Sequence, residues 1–190
     1  MNEPKGYKEA QVYGDYTPLE LGGHVCKIMS VEETKSAKGA DMLKISLDIA
    51  EGPQKGYYSE QYRTSTFENK KWGCIVYQLT YDNEGNTNKG LKTFITSVEE
   101  SNAGYKVAWG DTFCQSLKNK LVGGVFGREQ YKNRNSELKW STKCSQFRSV
   151  ETIKKGVEVP EDKYIKNSNT QRKDDSFIEI DVDEKMPWDE

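Results

Sequence analysis

Asp41-Met-Leu-Lys-Ile-Ser-Leu-Asp-Ile-Ala-Glu51 is the stretch whose period decides the fold class. Leu43, Ile45, Leu47 and Ile49 alternate with Met42, Lys44, Ser46 and Asp48. A period of two predicts a β-strand with one buried and one wet face. Gly52-Pro53 ends it. Upstream, Gly22-Gly23 opens an apolar run over 24–31, a strand joined to the first by a turn at 36–39. Downstream, residues 56–63 carry Tyr57, Tyr58 and Tyr62, strand-forming side chains that predict a third strand. Residues 72–81 fit two templates. Trp72, Ile75, Val76 and Leu79 have helical spacing, whereas Ile75-Val76-Tyr77 suits a strand.

Beyond an Asn/Gly/Thr loop at 82–90, Leu91, Phe94, Ile95 and Val98 form the apolar stripe of a helix over 91–100, and a short second helix is expected at 112–117. Residues 121–131 form a strand in which Gly123, Gly124 and Gly127 recur, positions where a sheet bends or another chain segment approaches closely. After a turn at 133–136, residues 137–147 form the last strand, with Leu138, Trp140 and Cys144 expected inward and Lys139, Lys143 and Phe147 outward. Five short strands with a helical region between the third and fourth is the layout of a mainly β, OB-fold-like five-stranded barrel, partly open. The expected organisation is an N-terminal arm over 1–21, the barrel over 22–160, a polar linker over 161–173 and an acidic tail over 174–190.

With 31% charged and 34% hydrophobic residues over 190 positions, the chain is polar for one compact globule, so some of it is expected outside the core. No run is long and apolar enough for a membrane helix, and the first 16 residues have no apolar signal-peptide core. A soluble, cytoplasmic protein is the expectation, with no membrane partner. Cys26, Cys74, Cys114 and Cys144 are far apart and His24 is the only histidine, so no metal site and no cofactor are expected. The cysteines are predicted to be reduced and mostly buried. His24 and Cys26 lie on one predicted strand with no orienting carboxylate, which is a poor nucleophile–base pair. No phosphate-binding loop, nucleophile elbow or zinc-protease motif occurs, and no enzyme is expected. Asp41, Asp48, Glu51 and Glu60 have no spacing that demands a two-metal site.

The basic residues are better placed. Between Gln115 and Ser149, Lys118, Lys120, Arg128, Lys132, Arg134, Lys139, Lys143 and Arg148 outnumber Glu129 and Glu137, a net +6. Phe126, Tyr131, Trp140 and Phe147 are interleaved with them. Cations that track phosphates together with faces that stack bases are what single-stranded nucleic acid requires. The candidate contacts are Lys44, Tyr57, Tyr58, Tyr62, Arg63, Lys120, Arg128, Tyr131, Lys132, Arg134, Lys139 and Lys143, while Trp140 is assigned to the core beside Leu138 and Cys144. Residues 174–190 carry eight acids and one base, a net −7 beside a body of +5. Phe177, Ile178, Ile180 and Val182 make this stretch too apolar for a mere solubility tail. Asp181, Asp183, Glu184, Met186, Pro187 and Trp188 combine acids with an apolar anchor, the composition of a short docking peptide.

Several stretches resemble a family of phage-encoded single-stranded-DNA-binding proteins from phages of Gram-positive bacteria. They are Gly23-His-Val-Cys-Lys-Ile28, Leu43-Lys-Ile-Ser-Leu-Asp-Ile-Ala-Glu-Gly-Pro53, Phe94-Ile-Thr-Ser-Val-Glu-Glu-Ser-Asn102 and Leu117-Lys-Asn-Lys-Leu-Val-Gly-Gly-Val-Phe-Gly-Arg-Glu-Gln-Tyr131. The resemblance implies an OB-fold protein, a monomer or homodimer in the host bacterial cytoplasm, that coats single-stranded DNA in phage replication or recombination. It also implies that the acidic end recruits replication or recombination proteins. Tails of such proteins usually end on an aromatic residue, whereas Asp189-Glu190 follow Trp188 here. Two other readings are an adaptor or inhibitor acting through the acidic tail, and a metal-dependent nuclease.

Overall fold

A computed structural model of the chain describes Glu3, Pro4, Tyr7 and residues 17–165. The expected acidic tail, most of the linker and most of the N-terminal arm lie outside the described residues. The chain is mainly β. Its elements run β1 (Gly22–Lys35), β2 (Asp41–Ile49), α1 (Tyr57–Thr64), β3 (Ile75–Leu79), α2 (Lys89–Ser101), α3 (Phe113–Leu117), β4 (Leu121–Lys132), β5 (Leu138–Arg148) and α4 (Val150–Lys155). The five strands form one antiparallel sheet in the order β3-β2-β1-β4-β5. The sheet is not closed, and β3 and β5 are its edges. No helix among the described residues is long and apolar enough to cross a membrane.

The 14-residue β1 is shared between two partners. Its first part pairs with β4, from Gly22↔Phe126 to Lys27↔Leu121. Its second part pairs with β2, from Cys26↔Ile49 to Lys35↔Asp41, with an irregularity between Ile28 and Ser30. Bulges of this kind bend a strand and increase its twist. One face carries the main core, where Cys26, Ile28, Ile45, Leu47, Val122 and Phe126 meet Phe94 and Val98 of α2 and Leu117 of α3. Each such fully buried side chain contributes about 1.5–3 kcal/mol. A second, smaller cluster joins Val25 and Val125 to Ile153 of α4. Gly123 makes this possible, because a Cβ there would lie 2.3 Å from Ile153 Cγ1 and 2.7 Å from the Arg148 carbonyl.

Three expectations are corrected. Residues 56–63 are not a strand, because α1 occupies 57–64. The cause is Asp48, at the end of β2 and outside the segment's own pattern. Its Oδ1 accepts the backbone N–H of Tyr58 at 2.9 Å, and its other oxygen accepts a short hydrogen bond from the Ser59 hydroxyl. These bonds satisfy donors at the helix start that the left-handed Gly56 (φ 77°) cannot cap. The third strand is instead β3, drawn from the segment with two possible readings. There Val76 opposite Ile45 enters the core, while Tyr77 opposite Lys44 stays exposed. The second correction concerns β2. Its expected wet face is largely covered, since Met42, Ser46 and Asp48 are buried and Lys44 is half-buried.

The third correction is in β5. Val125 faces Gln146, but Phe126 faces Cys144, so Ser145 is an extra residue in the ladder. The insertion flips the side-chain phase. Cys144 and Phe147 therefore both point inward, and Phe147 is only 4% exposed with its ring 4.8 Å from that of Phe94. Leu138 and Trp140 lie beyond the covered part of the sheet and are exposed.

Candidate nucleic-acid interface

β4 pairs with β1 only as far as Phe126 but with β5 as far as Lys132. Residues 127–143 therefore extend past the central strand as a β-hairpin. Its turn is built by Asn133, whose side-chain oxygen accepts the N–H groups of Asn135 and Glu137 at 3.0 and 2.9 Å. The hairpin carries Arg128, Lys132, Arg134, Lys139 and Lys143 against Glu129 and Glu137, a net +3. The register Tyr131↔Lys139, Glu129↔Ser141 and Gly127↔Lys143 puts these six residues on one face. Lys143 reaches Glu129 at 3.0 Å and Lys139 reaches Glu137 at 3.3 Å. Exposed pairs of this kind are weak and exchange readily for a phosphate.

The opposite face is aromatic. Trp140, 39% exposed, lies diagonal to Arg128, whose guanidinium sits 5.2 Å from the indole centroid. The chain after α4 returns along the free side of β4. Lys163 N–H donates to the Arg128 carbonyl at 2.9 Å, and Gln130 N–H donates to the Lys163 carbonyl at 2.8 Å. This return places Asp162 in a two-point ion pair with Arg128, one bond 3.0 Å and the other short. Asp162 raises the Arg128 pKa by hydrogen bonding. The Tyr164 ring meets Trp140 edge-on, centroids 5.1 Å apart. The packed body thus continues past Pro160 to at least Ile165, into what the sequence reads as linker.

The remaining sequence candidates are placed elsewhere. Tyr58 is buried in the core at 6.5 Å from the Phe126 ring and is unavailable to a base, which corrects its assignment. Burial raises its phenol pKa strongly. Tyr57 packs against the core and donates its hydroxyl to the Thr17 carbonyl at 3.0 Å. Tyr62 is exposed beside Trp72, with Lys70 Nζ 5.8 Å from its ring centroid. Arg63 is held by Glu60 through bonds of 3.0 and 2.5 Å. Lys44 pairs with Glu32 at 3.1 Å, and Lys120 lies 4.3 Å from the centroid of Tyr105. The structure therefore gathers Arg128, Tyr131, Lys132, Arg134, Lys139 and Lys143, and sequence reasoning missed Trp140, Asp162 and Tyr164. The alternation in β5 conceals Trp140, because it shares the face of the buried Cys144 and nothing local shows that the hairpin runs past the covered sheet.

A cleft of about 810 Å³ lies at the other end of β1. Glu32, Glu33, Asp41 and Asp111 line it beside Trp109, so its charge repels phosphate. The carboxylates weighed for metal chemistry do not converge. Asp48 binds the start of α1, Asp41 pairs with Lys35 at 2.5 Å, Glu51 with Lys154 at 2.9 Å and Glu60 with Arg63 at 2.5 Å. Among the described residues no group of three His, Cys, Asp or Glu side chains is placed to hold a metal ion. His24 bonds the Glu20 carbonyl through Nε2 at 2.8 Å, while the Cys26 thiol donates to the His24 carbonyl, so the two side chains form no catalytic pair. All four cysteines are free. Burial holds the Cys26 and Cys144 thiols well above their ordinary pKa and Cys74 up to about 12. No protein-family model matches the chain, and no curated protein sequence matches it significantly.

Proposed function

We propose that the chain is a single-stranded-DNA-binding protein that uses the β4–β5 hairpin as its DNA grip. The observation that carries this reading is the hairpin itself: five cations, with Tyr131 exposed on one face and Trp140 on the other, at the end of the molecule away from the acidic cleft. Cations follow a flexible backbone and rings stack unpaired bases, so a single strand satisfies both while a duplex offers only phosphates. The fold supports the reading. The order β3-β2-β1-β4-β5, with β1 shared between two partners, is the order that an OB barrel would have if it were opened between its third and fifth strands. In that fold the loop between the last two strands is a recurrent oligonucleotide contact, and here it is the hairpin turn.

In this reading the protein coats single strands during phage replication or recombination, without a cofactor and without catalysing a reaction. The acidic residues 174–190, with Trp188 as anchor, dock partner proteins and compete with DNA for the cationic hairpin at low salt. Deleting 174–190 tests this part. Tighter DNA binding at low but not high salt, together with loss of partner recruitment, is the expected result. Unchanged affinity at every salt concentration and retained partners would refute it. The direct test of the hairpin is Lys139→Glu with Lys143→Glu, both exposed, which should weaken binding to a labelled oligothymidylate without lowering the urea midpoint.

A further inference from the structure

We propose that residues 161–165 are an internal mimic of a nucleotide, occupying a phosphate subsite at Arg128 and a base subsite at Trp140 until single-stranded DNA displaces them. The inference rests on the proposed DNA grip and adds its regulation. A carboxylate and a phosphate offer a guanidinium the same two-point geometry, and Asp162 takes both positions on Arg128. A phenol ring and a nucleobase compete for the same indole, and Tyr164 sits against Trp140. Asp162 and Tyr164 are two residues apart, and Lys163 between them is pinned to β4 by its own N–H and carbonyl. One extended segment thus presents an anion and a ring to the two neighbouring residues of the hairpin best suited to a phosphate and a base.

The attachment is built to release. It includes one parallel bridge with two backbone hydrogen bonds, a long 3.5 Å hydrogen bond from the Ile165 N–H to the Gln130 side chain, a partly exposed ion pair and a ring that stays 66% exposed. Few buried contacts and exposed hydrogen bonds mark a segment that opens locally. Upstream, Val157 and Pro160 pack over Gly23 and Gly127, where a Cβ would lie 2.6 Å and 3.1 Å away, so the strap has a fixed root next to its labile end. Being tethered, weak contacts keep it closed through a high local concentration. DNA then binds with an affinity reduced by the fraction of molecules that are open.

The test compares wild type with D162N/Y164A and with E161Q, which removes one nearby exposed charge but no contact to Arg128. Binding of a fluorescein-labelled oligothymidylate is followed by anisotropy, and backbone hydrogen exchange is measured with and without the oligonucleotide. A strap closed in about nine molecules of ten predicts roughly 10-fold tighter binding by D162N/Y164A. E161Q should change affinity by less than about twofold, as a screened surface charge does. The amides of Gln130 and Lys163 should lose protection when DNA binds. Wild type that binds while D162N/Y164A binds equally or more weakly, or while those amides gain protection, overturns the strap and leaves the DNA grip standing. Binding by D162N/Y164A alone supports both, and binding by neither overturns both.

Discussion

Replacing Trp140 and Phe147 separately by alanine separates stability from binding in one strand. Both are aromatic and seven positions apart on β5, but the extra residue at Ser145 turns Phe147 into the core, while Trp140 lies on the part of the hairpin beyond the covered sheet. Phe147→Ala removes a ring 4% exposed and packed on Phe94, and a cavity of that size costs about 3–5 kcal/mol. Trp140→Ala removes a ring 39% exposed that touches Arg128 and Tyr164, so its cost in stability is about 1 kcal/mol. Binding reverses the order. Losing one stacking platform costs about 1–3 kcal/mol, roughly 5- to 150-fold in affinity for a single strand. Urea denaturation gives the stabilities and anisotropy with labelled oligothymidylate gives the affinities. Phe147→Ala is measured at a temperature where it remains folded. If Trp140→Ala destabilises the protein as much as Phe147→Ala, the face assignment is wrong. If it leaves affinity unchanged, Trp140 is not a stacking platform.

Lys139→Glu with Lys143→Glu should lower the slope of log affinity against log salt by about 1.4, the counterion release expected from two lost phosphate contacts on a single strand; an unchanged slope refutes those contacts. Asp48→Ala should lower the urea midpoint by an amount corresponding to about 1–3 kcal/mol, because it strips the start of α1 of its acceptor. Gly123→Ala should destabilise by about 3 kcal/mol or more, since the added methyl overlaps Ile153 and the Arg148 carbonyl, whereas Gly39→Ala, with open space and only an unfavourable φ of 82°, should cost about 1 kcal/mol. In the native protein a maleimide should label Cys114, the half-buried thiol, and spare Cys26, Cys74 and Cys144 until denaturant is added. Fast labelling of any of the three would contradict their burial.

Where one face of an element meets the core, its sequence carries the period. Leu43, Ile45, Leu47 and Ile49 show β2, and Leu91, Phe94, Ile95 and Val98 show α2, because the buried stripe needs apolar side chains at fixed spacing. The misreadings arise where something outside the segment's own pattern decides. Tyr57, Tyr58 and Tyr62 favour a strand locally, but Asp48 supplies the hydrogen bonds that start a helix. Met42, Ser46 and Asp48 read as solvated, yet all three are buried. The cations of the hairpin were legible because exposed charge needs no partner to be seen. Trp140 was not, because it is in phase with the buried Cys144 and only the reach of the hairpin beyond β1 exposes it. The contacts of Asp162 and Tyr164 are equally hidden, since nothing local says that a polar stretch returns to β4.

The most direct test of the central claim is an anisotropy titration of the full chain with one sequence offered as a labelled single strand and as its duplex, repeated across salt concentrations. The account predicts tighter binding to the single strand, with affinity falling as salt rises and falling less steeply once Lys139 and Lys143 are reversed in charge. Equal affinity for the two forms, or no binding to either, would contradict it.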